Sequence, residues 1–232
     1  MLVLAGLEPE GRAGLLADVE AIRAQGAHPV AVATALTAQG ERTFRAQTVP
    51  PAMLAAQMRA ALELGTVHAV KVGMLPDARA VRKVRARALA NVPWVVDPVV
   101  RTSLGQRLST LKPRDYLALA GPRVVITPNA LEAAWLLGRR EIAPELAAER
   151  LVALGFGAAV VKGGHLRGRA VDVVADREGV ARLDGPRLKV EGKRGTGCRF
   201  ASAMAARMAQ GASAREAAAA AKDAVARYLL GA

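Results

Sequence analysis

Val124-Val125-Ile126-Thr127-Pro128-Asn129-Ala130-Leu131-Glu132 passes from a β-branched apolar run, through a polar turn, into a segment of helical period. Residues 124–126 fit a strand and 131–137 a helix, with Asn129 and Glu132 spaced as a capping pair at the helix start. The same grammar repeats on either side. Further strands are expected at 2–5, 29–34, 69–72, 94–96 and 158–161, and helices at 14–25, 52–64, 77–90, 113–120 and 144–154. Several of these strands are apolar throughout, as strands covered on both faces are. Strands and helices taking turns predict an α/β fold, three layers αβα with a mainly parallel central sheet. No linker or repeat divides the chain, so residues 1–232 are expected to form a single domain.

After Lys162 the texture changes. Residues 170–175, 179–183 and 187–190 form short runs joined by Arg177-Glu178-Gly179 and Asp184-Gly185-Pro186, which predicts an antiparallel hairpin at the sheet edge. Two helices follow, 196–210 and 213–230. The second begins with Ser213 and Glu216 in capping-box spacing and contains the alanine run 217–221.

The 232 residues include one cysteine, which leaves no internal disulfide and no cysteine-rich zinc site and suits a reducing cytoplasm. At 52% apolar residues the chain can bury a core without such staples. Neither a signal peptide nor a membrane span is expected. The net charge of +13 invites a polyanion, but 26 of the 33 cations are arginines scattered along the chain, and two Trp, two Tyr and three Phe give few surfaces for base stacking. No nucleic-acid partner is expected, and a small phosphorylated ligand suits the charge better.

Ligands of such sheets bind beyond the carboxyl ends of the strands. Gly6-Leu7-Glu8-Pro9-Glu10-Gly11-Arg12-Ala13-Gly14 is one strand-end loop, too irregular in spacing to be a dinucleotide fingerprint or a P-loop. The strongest local signal is Gly192-Lys193-Arg194-Gly195-Thr196-Gly197-Cys198, directly before a helix. Glycines there expose backbone N–H groups at the positive end of the helix dipole, and Lys193 and Arg194 add charge: together a receptor for an anion. A glycine-rich entry with Cys198 packed as a small hydrophobe is the plainer alternative. In the first helical turn, Cys198 is expected to have a depressed pKa. Asn129 and Glu132 serve either a cap or a site. Asp97 closes another strand with a carboxylate suited to Mg²⁺, and Lys162-Gly163-Gly164-His165 closes a third. A lysine, two carboxylates and an anion hole are the parts phosphoryl transfer needs.

Taken in order, these motifs resemble the hydroxymethylpyrimidine/phosphomethylpyrimidine kinases of thiamine biosynthesis, within the ribokinase-like superfamily. The family's opening segment, close to AGSDPSGGAGIQAD, matches Ala5 to Asp18; TALTAQ stands at Thr34 to Gln39, KVGML at Lys71 to Leu75 and DPV at Asp97 to Val99. TPN..EA follows at Thr127 to Ala133, KGGH at Lys162 to His165 and GTGC at Gly195 to Cys198. The resemblance implies a ribokinase-like fold, ATP and Mg²⁺, and phosphorylation of 4-amino-5-hydroxymethyl-2-methylpyrimidine and of its monophosphate. It places Gly6, Ala13, Asp18, Gln39, Met74 and Val99 around the pyrimidine, with Gln39 on the ring's hydrogen-bonding edge. It places Asn129, Glu132, Lys162, Arg194 and Thr196 toward the nucleotide, Asp97 and Glu132 near the metal, the amides of Gly195, Thr196 and Gly197 in the anion hole, and Cys198 where sugar kinases carry an aspartate base. A cytoplasmic homodimer is the expected state. Glu8, Glu10, Arg12 and Arg194 depart from the family's usual Asp, Ser, Gly and His, and Arg12 and Arg194 would add charge toward a phosphorylated acceptor. Two alternatives are a pyridoxal or related vitamin-precursor kinase of the same superfamily, and a pyrimidine-binding sensor without catalysis.

Overall fold

At the heart of the sheet, β1 (Leu2–Leu7) points Leu2 and Leu4 into one apolar cluster and Val3 and Ala5 into another, as alternate residues of a strand covered on both faces must. The computed structural model describes residues 1–40, 42–84, 89–102, 105–164, 170–185, 188 and 193–231. After β1 come α1 (Gly14–Ala24), β2 (Val30–Gln39), β3 (Phe44–Thr48), α2 (Pro51–Glu63), β4 (Val70–Val72), α3 (Ala78–Val84) and β5 (Trp94–Val96). The chain continues through α4 (Pro113–Leu117), β6 (Val124–Ile126), α5 (Ala130–Leu136), α6 (Pro144–Ala153), β7 (Ala158–Val161), β8 (Asp172–Asp176), β9 (Gly179–Leu183), α7 (Thr196–Ala209) and α8 (Ala214–Leu230).

The strand order is β3-β2-β1-β4-β5-β6-β7-β8-β9. From β2 across to β7 the pairings are parallel; β3 and the β8–β9 hairpin close the two edges antiparallel. One face, with Leu2, Leu4, Val72, Val96 and Val161, packs on α2, α3, α4, α5 and α6; the other, with Val3, Ala5, Val95 and Val160, packs on α1, α7 and α8. This is the expected αβα sandwich. α7 is buried around most of its girth because it lies between the sheet, α1 and α8. Alanines and Ser202 along it keep that approach short.

Two expectations need correction at the other edge. β2 runs on to Gln39 instead of stopping at 34, and β3 pairs with it from Ala35↔Thr48 to Gln39↔Phe44, where no strand was expected. β3 is mostly exposed and carries Arg45 and Gln47, so no apolar pattern announces it; the backbone ladder alone holds it. The strand expected at 187–190 and the tail of the helix expected at 77–90 lie largely outside the described residues. Among the described residues, no helix is long and apolar enough to cross a membrane.

Leu4 is fully buried on β1, an interior strand of the sheet. Leu4→Ala is expected to cost about 2–5 kcal/mol, seen in urea unfolding as a lower midpoint with an unchanged slope.

Candidate active site

The chain steps from β1 to β2 on one side and returns to β4 on the other, and a sheet with such a reversal is expected to take its ligand in a crevice beyond the carboxyl ends of the strands. Asp97, just past β5, and Lys162, just past β7, meet beyond the end of β6, with Lys162 Nζ 2.9 Å from Asp97 Oδ1 and little of either side chain exposed. Between them, at the end of β6, the Pro128 carbonyl accepts the Lys162 N–H at 2.8 Å. Asn129 and Glu132 do form a capping box: Asn129 N–H donates to Glu132 Oε2 at 2.8 Å, and Glu132 N–H to Asn129 Oδ1 at 2.9 Å. The cap also fixes the Glu132 carboxylate within the field of the ion pair. Burial pushes its pKa up to about 7, Asp97 adds to the rise, and Lys162 opposes it. Burial disfavours the charge on Lys162, but Asp97 and Glu132 outweigh it and raise the lysine's pKa.

Opposite this cluster lies the first turn of α7. Gly195, its N-cap, has φ +79°, and a Cβ there would run into the Arg12 carbonyl oxygen. Within the turn, a Cβ on Gly197 would stand 3.2 Å from Lys162 Nζ and 3.8 Å from Asp97 Oδ2. The glycines therefore let the N-terminal amides approach both the β1–α1 loop and the ion pair. Thr196 opens the helix, and Cys198 follows in its first turn. The expected low thiol pKa is not found. Burial pushes it up to about 11; Lys71 and the Gly14 N–H pull the other way and lose.

Beneath the crevice, sequence reasoning missed a charged floor. Lys71, in the middle of β4, is fully enclosed and pairs with Asp18 of α1 at 2.7 Å, while Ser202 of α7 donates to the other Asp18 oxygen at 2.8 Å. Burial raises the Asp18 pKa, with Lys71 and Ser202 acting against it. Asp18, expected around the ligand, is thus tied up inside the fold. The signal was a lysine in an otherwise apolar β4: such a residue requires a buried partner.

The β1–α1 loop is folded by Glu8, whose buried carboxylate accepts N–H bonds from Glu10, Arg12 and Ala13 at 3.1, 3.0 and 3.4 Å. Gly6 backs onto Met74, since a Cβ there would lie 2.6 Å from the Met74 sulfur. Val99 follows Asp97, and its carbonyl accepts the Tyr116 hydroxyl at 3.0 Å. Gln39, at the end of β2, receives the Arg194 guanidinium on Oε1 at 2.6 Å. Arg199 and Tyr228 were also missed. Buried Arg199 donates to the Arg12 carbonyl at 3.0 Å, pairs with Glu20 and lies 3.9 Å over the Tyr228 ring, whose hydroxyl donates to the Arg194 carbonyl at 3.2 Å. Lys193 turns outward to the Tyr228 carbonyl at 2.8 Å. His165 and Gly192 lie outside the described residues.

Among the described residues no three metal-ligating side chains gather into a cage. Asp97 and Glu132 nevertheless fit Mg²⁺, which is usually held through one or two carboxylates, with waters and substrate phosphates completing its shell.

The family model described as phosphomethylpyrimidine kinase matches residues 8–231. The chain belongs to that family. It is 39% identical over 231 residues to the hydroxymethylpyrimidine/phosphomethylpyrimidine kinase of Streptomyces coelicolor, covering 96% of this chain and 86% of that protein. Its fold is similar to the ADP complex of Bacillus subtilis pyridoxal kinase (TM-score 0.83, 29% identity, 96% and 88% of the two chains). It is also similar to the phosphomethylpyrimidine kinase of Clostridium difficile (TM-score 0.79, 27% identity, 99% and 97%). The protein is a kinase of the ribokinase-like fold, and the crevice described above is its candidate active site.

Lys71→Met strands Asp18 in the core and is expected to cost about 3–5 kcal/mol, with Lys71→Met/Asp18→Leu recovering part of the loss in urea unfolding. Because Cys198 is the chain's one cysteine, its alkylation reports a single thiol. The rate is expected to climb about tenfold per pH unit from neutrality with no plateau below about pH 9; a plateau near pH 7 would contradict the raised pKa.

Proposed function

We propose that this kinase transfers the γ-phosphoryl group of ATP to 4-amino-5-hydroxymethyl-2-methylpyrimidine and then to its monophosphate, a reaction pair of thiamine biosynthesis. The supporting observation is the close approach of the α7 N-terminal turn to the Lys162–Asp97 pair. Phosphoryl transfer is mostly positioning and charge neutralisation. Backbone amides at residues 195–198 would hold the oxygens on which charge develops, with Lys162 beside them. Asn129, Glu132 and Thr196 would border the nucleotide phosphates. Mg²⁺, when bound, would neutralise phosphate charge, with Asp97 and Glu132 holding it. Gly6, Ala13, Gln39, Met74 and Val99 would surround the pyrimidine, Asp18 supporting them from below through Lys71.

In each step the acceptor oxygen forms a bond to the γ-phosphorus as the bond to the β–γ bridging oxygen breaks, releasing ADP. The first acceptor is an alcohol that must also lose a proton; the second is a phosphate oxygen already largely ionised at neutral pH. Cys198 would be the group that assists that proton. With its pKa pushed up to about 11, its thiolate is scarce but strongly basic. Raising the pH increases the thiolate fraction, so the first step should accelerate with pH.

Coupled ATPase assays with each acceptor test the reading. Turnover on the pyrimidine alcohol and its monophosphate, above turnover on pyridoxal, supports it; the reverse order favours the pyridoxal kinase reading that the B. subtilis likeness raises. Cys198→Ala is expected to lower the first step by about 10²–10⁴-fold, the usual range for a lost general base, to affect the second far less, and to flatten the first step's rise between about pH 7 and 9. Equal losses in both steps would remove Cys198 from the proton's path.

A further inference from the structure

Gln39 belongs to a hydrogen-bond chain with only one permitted polarity. The Leu7 carbonyl can only accept, so the Thr37 hydroxyl, 3.0 Å away, spends its single proton on it. Thr37 Oγ1 can then only accept from Gln39, which fixes Nε2 as the atom 3.0 Å from it. At the other end of the amide, Arg194 is a donor with no acceptor capacity, so the atom 2.6 Å from its Nη2 must be Oε1. Both ends agree. A free glutamine amide turns over easily and presents donor and acceptor in either order; this one cannot without setting N–H against a guanidinium and oxygen against a hydroxyl whose proton is committed elsewhere. Arg194 is itself held, because its carbonyl accepts the Tyr228 hydroxyl and its side chain is half-buried.

We infer that Arg194 and Thr37 are specificity-determining positioning residues that lock the Gln39 amide in one orientation, so that the site discriminates between an aminopyrimidine edge and a pyrimidinone edge on the acceptor. The locked amide retains one N–H and one oxygen lone pair for a ligand. An aminopyrimidine offers a ring-nitrogen acceptor beside an amino donor; the corresponding pyrimidinone offers a ring N–H beside a carbonyl, the opposite order. An amide fixed at both ends satisfies one order and leaves the other with two mismatched polar pairs, which a site built to hydrogen-bond rejects strongly. The inference rests on the proposed reading that Gln39 meets the acceptor's ring edge, and adds what fixes the direction in which it reads.

The experiment compares kcat/KM for 4-amino-5-hydroxymethyl-2-methylpyrimidine with that for its 4-oxo analogue, in the wild-type chain, Arg194→Met, Arg194→Lys and Thr37→Val, with the KM for ATP measured alongside. The wild type is expected to prefer the amino compound by about 10³-fold or more. Arg194→Met and Thr37→Val are each expected to narrow that ratio by about tenfold or more, as one of the two anchors that hold the amide is lost, while in Thr37→Val the KM for ATP moves less than about threefold. Arg194→Lys, which keeps a donor, holds the ratio close to wild type. A general loosening of the fold would lower both acceptors together and leave the ratio alone, which would overturn the lock, as would an unchanged ratio in both Arg194→Met and Thr37→Val. If Arg194→Met fails to fold, Thr37→Val with Arg194→Lys decides. Turnover of neither pyrimidine by the wild type would instead overturn the functional reading beneath the lock, so the two failures are distinguishable.

Discussion

The first turn of α7 can approach the sheet only because Gly195 and Gly197 carry no side chain. A methyl group on the first would meet the Arg12 carbonyl, and one on the second would crowd Lys162 and Asp97. This contact brings the positive end of a long helix to the reversal point of a parallel sheet. Much of the site's charge is arranged around it: the Lys162–Asp97 pair in front and Arg199 behind, stacked on Tyr228 and bonded to the Arg12 carbonyl. The β1–α1 loop can lie close because Glu8 gathers its amides from within. The site is a docking of two loops and a helix onto strand ends, with glycine where the backbones must come close.

Such a concentration of charge in a low-dielectric region is costly unless each group finds a partner. Lys71 and Asp18 satisfy one another below, with Ser202 completing the carboxylate; Lys162 and Asp97 do so above. The same burial that makes these pairs necessary also decides the state of Cys198. A helix N-terminus lowers a thiol's pKa when the thiol remains hydrated, but here desolvation is the larger effect and the proton stays on sulfur. Helix position alone therefore misjudges the sign.

Strands covered on both faces were legible because their residues are apolar at successive positions: β5, β6 and β7 lie where the pattern puts them. β3 was not, since an exposed edge strand packs against no core and its stability comes from a backbone ladder that no side-chain pattern reports. The capping box at Asn129 and Glu132 was legible as a local event. That it also sits within the field of Lys162 and Asp97 was not, because those residues come from other strands.

By itself, then, the sequence determined the alternation of strand and helix, the glycine-rich entry to α7 and the residue types capable of phosphate chemistry, all of which are written in short-range spacing. Only the tertiary structure decided which partner each charged group finds. Asp18 with Lys71, Asp97 with Lys162, Arg194 with Gln39 and Arg199 with Tyr228 are partners separated by tens of residues or more along the chain. Their pairing depends on the order of strands in the sheet and on how closely α7 packs, and burial, which sets the energetic weight of each pair, exists only once the layers have closed.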